Sequence, residues 1–78
     1  MTLSEAQHAL DLAIAELESS PDRDLLAPLT TGARQVLETT TPDDDRNADE
    51  CINDLRACAV ALPVLAAGMV FARRRLQS

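Results

Sequence analysis

ACAVALPVLAAGMVFA, residues 57–72, holds no charged and no strongly polar side chain. Acidic sequence lies before it, and Arg73, Arg74 and Arg75 follow it. Alanine and leucine favour helix here, and only Pro63 and Gly68 interrupt. The stretch also continues a heptad rhythm that starts upstream. Ile52, Leu55, Ala59, Leu62, Ala66 and Met69 recur at alternating spacings of three and four. From Ala57 onward the other faces of that helix are apolar too. A helix that is apolar all round is covered on all sides, by protein or by lipid. Pro63 removes one backbone donor, so a kink is expected near Ala59 to Leu62.

The lipid alternative turns on length. A spanning helix needs about 20 apolar residues to cross a hydrocarbon core of about 30 Å. This run has 16 residues, which reach about 24 Å at about 1.5 Å per residue. Phe71 is the single aromatic residue of the chain, so no aromatic belt marks a membrane interface. The arginine flank and the small-xxx-small spacing of Gly68 and Ala72 point the other way. Length and alanine content favour burial against other helices, including those of a second copy.

Composition asks for the same help. A chain of 78 residues makes one domain, 1–78, and buries a modest share of its surface. With no Trp or Tyr the core is aliphatic. Alanine adds little to it, because the gain is only about 25 cal/mol per Å² of apolar area. The net charge of −6 comes from 13 acids against 7 basic residues, all of them arginine. This argues against direct binding to nucleic acid, which requires a basic face. It suits a chain that occupies a basic surface on a partner. The first ten residues have no basic n-region. Cys51 and Cys58 stand about 10.5 Å apart on one helix, too far for a bridge within it. Reduced thiols and a cytoplasmic location are expected.

Three helices are predicted. Thr2-x-x-Glu5 and Ser4-x-x-Gln7 are capping-box patterns, and Leu3, Ala6, Leu10, Ala13 and Leu17 form a packing stripe that Ile14 widens. Ser19-Ser20-Pro21 ends that helix. Ser20-Pro21-Asp22 starts the next, whose stripe is Leu25, Leu26, Leu29, Ala33, Val36 and Leu37. Pro28 and Gly32 leave two readings, a kinked helix or a turn to Ala27 followed by a helix from Leu29 to Glu38. Thr39-Thr40-Thr41-Pro42-Asp43-Asp44 repeats the start signal, so the third helix is placed from Pro42 to Leu76. The expected fold is all-α, a helical hairpin or small bundle of about three helices. Its C-terminal helix is long and Pro-kinked, and the chain self-associates.

The strongest chemical pattern is Asp43-x-Asp45-x-Asn47 with Asp49 and Asp54. These fall at offsets 1, 3, 5, 7 and 12 of an EF-hand loop. Ala48 replaces the glycine of position 6, and Glu50 stands where an apolar residue is usual. A solvated acidic helix start is the plainer reading. Asp43, Asp44, Asp45, Asp49, Glu50 and Asp54 together make an acidic recognition face. The two cysteines form no C-x-x-C pair, and His8 is the single histidine, so no metal site is expected. No serine sits in a nucleophile-elbow context. No catalytic residue and no cofactor are expected.

These observations predict a non-enzymatic interaction module that docks on a larger protein partner, through a basic surface of that partner. It would act as a chaperone-like cover or as an antagonist. Ile52, Leu55, Ala59, Leu62, Leu65, Ala66, Met69 and Phe71 would supply the apolar contact to a partner or to the second copy of a homodimer. The acidic face would set partner choice and on-rate. The alternatives are a single-span membrane protein anchored by residues 57–72 and a calcium-responsive helical module.

Overall fold

The computed structural model describes residues 1–43 and 46–77. Three helices follow in order, α1 (Leu3–Glu18), α2 (Arg23–Thr39) and α3 (Ala48–Gln77). Among the described residues there is no strand, only an isolated bridge between Asp43 and Arg46.

The capping box at the start of α1 forms as its sequence predicts. Thr2 Oγ1 accepts from the Glu5 amide at 3.1 Å, and the Thr2 amide donates to Glu5 Oε1 at 3.0 Å. The buried line of this helix is Ala6, Leu10 and Ile14. Leu3, Ala13 and Leu17 flank it, partly buried. The predicted stripe is therefore present, with Leu10 at its centre and Ile14 at its edge.

Of the two readings for the second segment, the structure takes the single helix. Its first turn is set by the Ser20 hydroxyl, which accepts from the Asp22 amide at 3.1 Å, and by the Leu26 amide, which donates to the Asp22 carbonyl at 3.0 Å. Pro28 lies one turn further on, exposed. The amide it lacks would have bonded to the Asp24 carbonyl, which can turn to water instead. Leu26, Thr30 and Ala33 are buried, and the Thr30 hydroxyl donates to the Ala27 carbonyl at 3.1 Å.

The third helix starts later than the Thr-Pro-Asp signal predicts. Asp43 Oδ1 accepts from the Arg46 amide at 3.0 Å, and the two main chains exchange bonds of 3.2 and 3.3 Å. Residues 42, 43, 46 and 47 are therefore not helical, where helix was expected. Asn47 Oδ1 then accepts from the Glu50 amide at 2.9 Å and acts as the cap. Pro63 lies inside α3, exposed.

Each helix packs on the other two. Ala6, Leu10, Ile14, Ala33, Leu55 and Leu62 form one continuous core cluster. The molecule measures 50 × 19 × 18 Å. Its length is that of α3, about 45 Å at about 1.5 Å per residue. By the same measure α1 and α2 reach only about 25 Å, so they shield one side of α3 over part of its length.

Candidate functional site: the uncovered face of the third helix

Two stripes run along α3 on opposite sides. The inner one carries Cys51, Leu55, Leu62 and Ala66, all buried, with Ile52, Cys58, Ala59 and Met69 partly buried beside them. The outer one carries Glu50, Asn53, Ala57, Val60, Val64, Ala67, Phe71 and Arg74, all exposed. Its spacing alternates three and four, a second heptad seam offset by two residues from the first. At 3.6 residues per turn, an offset of two places it about half a turn away.

The residues predicted for apolar contact divide between these sides. Ile52, Leu55, Ala59, Leu62, Ala66 and Met69 lie on the inner stripe, toward α1 and α2. Leu65 and Phe71 face outward at 54% and 61% exposure, beside Val60 at 72% and Val64 at 69%. Sequence reasoning missed Ala57, Val60, Val64 and Ala67 as a face of their own. The signal was there, a 3–4 rhythm through 57, 60, 64, 67 and 71, masked because the neighbouring positions are apolar as well.

The outer face forms a shallow concavity of about 590 Å³ over Ala57, Val60, Ala61, Val64 and Leu65, with Asn53 and Arg56 at its edge. A second apolar groove, of about 320 Å³, runs between α2 and α3 along Pro28, Leu29, Gly32, Val36, Cys58 and Leu65. Ala61 and Leu65 line both, so the two surfaces are continuous. The Cys58 thiol looks into the groove, and burial pushes its pKa up, which disfavours the thiolate.

Charged residues frame this apolar surface. Asp49, Glu50 and Asp54 are exposed on the first turns of α3, and Asp54 pairs with Arg46. Asp43 is exposed in the turn before them. The other two members of the predicted acidic face, Asp44 and Asp45, lie outside the described residues. At the far end Arg73 pairs with Asp22, which ties α3 to the α1–α2 turn. Arg75 lies 5.8 Å over the Phe71 ring.

Of the five residues in the calcium pattern, Asp45 lies outside the described residues. The Asp43 and Asn47 side chains accept from the Arg46 and Glu50 amides. Helix begins at position 6 of the would-be loop, so Asp49 and Asp54 stand on helical backbone. His8 is exposed on α1 in a shallow surface with Ser4, Gln7 and Asp11.

Ion pairs and caps tune the carboxylates of α1. Arg34 of α2 brackets Glu18, with Nε 3.3 Å from Oε2 and a second contact to Oε1, and lies 3.8 Å from Asp11. The guanidinium holds the Glu18 carboxyl below the usual glutamate range. The Thr2 amide, and then its hydroxyl, does the same to Glu5.

Comparison with protein-family models, with curated proteins and with solved structures finds no match to this chain. What the surface can do rests on its own geometry. What that geometry offers is contact: a long apolar helix face, an adjoining groove, and acidic residues at one end. By length and composition alone α3 could also cross a membrane, and 17% of its most apolar 18-residue window is buried.

Proposed function

We propose that this chain is a non-enzymatic interaction module that docks on a larger protein through the apolar surface of α3 and the α2–α3 groove. One observation carries the reading: the helix that holds the longest uncharged run of the chain keeps a whole side of it uncovered. Exposed apolar patches of this kind mark contact sites, and single exposed leucines do not. The groove along Leu29, Val36 and Leu65 suits an apolar stripe of a partner helix laid between α2 and α3. That favours a chaperone-like cover over an antagonist. Asp49, Glu50 and Asp54 form an acidic rim that would steer a basic flank of the partner into register. The module acts as a cytoplasmic homodimer, with the Pro63 kink shaping the surface.

Its test is co-purification from the native host with wild-type chain and with Leu65→Glu, which alters a half-exposed side chain shared by groove and face. The wild-type chain is expected to retain a stoichiometric partner that the variant loses while keeping its helicity. Equal retention by both would remove the groove from the reading.

The second reading, a single-span membrane protein, draws on the length and apolarity of α3 and on its arginine flank. The packing weighs against it. Leu10 and Ile14 of α1 cover α3 at Leu55 and Leu62, inside or next to the would-be span. Insertion would strip those residues from their core and break the Arg73–Asp22 pair. Recovery of the untagged protein in the membrane pellet would favour this reading, and recovery in the supernatant the first.

A further inference from the structure

We propose that the outer stripe of α3 is the interface of an antiparallel homodimer, with Glu50 of each copy facing Arg74 of the other. The inference rests on reading this face as a contact surface; it gives the outer stripe to a second copy of the chain and leaves the α2–α3 groove along Leu29 and Val36 to the larger partner.

The charge pattern selects both partner and direction. Glu50 opens the outer stripe and Arg74 closes it. Neither forms an ion pair among the described residues. A parallel pair would set Glu50 against Glu50 and Arg74 against Arg74, and like charges across a helix seam are unfavourable. The antiparallel pair sets acid against base at both ends of the interface.

The apolar positions agree on one register. An antiparallel seam pairs residues whose numbers add to a constant. Pairing Glu50 with Arg74 fixes that constant and brings Asn53 to Phe71, Ala57 to Ala67 and Val60 to Val64. Every pair is drawn from the exposed stripe. The crossing point falls at residue 62, next to the midpoint of the helix Ala48–Gln77, so this register also gives nearly full overlap. The paired stretch from Glu50 to Arg74 is about 36 Å long. Ala57, Ala61 and Ala67 are small enough for close approach, and a Cβ at Gly68 would meet nothing within 4 Å, so the backbone there is open too. The other two helices offer no such seam: their exposed faces carry Glu5, Asp11, Glu16, Asp24, Arg34 and Glu38. In the dimer α3 is covered by α1 and α2 on one side and by its twin on the other, as a helix apolar all round requires.

The test is the molar mass of the untagged chain by size-exclusion chromatography with light scattering, without detergent, beside circular dichroism. The expected mass is about 17 kDa, twice the 8.4 kDa of the chain. Val64→Glu should give the monomer mass with helicity kept, because the side chain it replaces is exposed in the single chain. Glu50→Arg and Arg74→Glu should each raise the dimer dissociation constant by about three- to tenfold, as exposed charge contacts do. Combined in one chain, they should restore it to within about twofold. A soluble wild-type monomer at millimolar concentration would overturn the dimer and leave the docking module standing. Recovery only in detergent would overturn both. A dimer that survives Val64→Glu, or a double charge swap that fails to rescue, would overturn this interface and its direction.

Discussion

Leu62 and Val64 stand two residues apart on α3, one 2% exposed and the other 69% exposed. The same charged substitution therefore means different things at each. Leu62 packs into the cluster formed by Leu10, Ile14, Ala33 and Leu55. Leu62→Asp places an unpaired carboxylate there and is expected to cost more than about 4 kcal/mol, enough to unfold a domain of this size. The check is loss of helical circular dichroism at 25 °C. A cooperative urea transition with near wild-type midpoint would show that Leu62 is no core residue. The importance of Leu62 was legible, since it lies in the heptad rhythm through Leu55, Ala59 and Ala66. Its occupant was not legible. A repeat of three and four says that something covers a stripe, and does not say whether the cover is the same chain or another.

At the scale of the elements, capping chemistry was readable at α1 down to a choice of two. Boxes of Thr2 with Glu5 and of Ser4 with Gln7 overlap there, and the first forms, because the helix starts at Leu3 and leaves Ser4 inside it. Before α3 the Thr41-Pro42-Asp43 signal is passed over: the Asp43 side chain accepts from the Arg46 amide, and Asn47 caps the helix. Asn47→Ala is accordingly expected to cost about 1 kcal/mol in urea unfolding, and Thr41→Ala less than about 0.3 kcal/mol. Reversed magnitudes would move the helix start back to Pro42. Acid acts on the same scale, through Glu5 at the α1 cap and Glu18 beside Arg34. Both carboxyls are held below their ordinary value in the folded chain. A depressed folded pKa gives stability that is present above the unfolded value of about 4.3 and lost as pH falls through the folded value. The urea midpoint should hold level from neutral pH to about pH 5 and decline below about pH 4. Glu18→Gln should flatten part of that decline. An identical acid limb in the variant would sever it from the α1–α2 ion pair.

For the whole molecule, composition and periodicity made the all-α class and the three segments legible, because α1 and α2 each show one apolar side. They did not show which side of α3 would face inward. Every side of residues 57–72 is apolar, so the choice is made by the shape of Ala6, Leu10 and Ile14, which no reading of α3 alone contains. This dependence gives a prediction for the chain as a unit. Leu10 is fully buried against α3, and Leu10→Asp should detach α1 by the same penalty that applies at Leu62. The inner stripe of α3 would then be uncovered as well as the outer one, leaving an apolar helix without the cover that keeps it in water. The variant is expected to move from the high-speed supernatant to the pellet, while Leu12→Asp, at a position 51% exposed on the same helix, stays with the wild-type chain. If Leu10→Asp remained soluble and helical, α1 would not be what shields α3, and the core described above would lose its central contact.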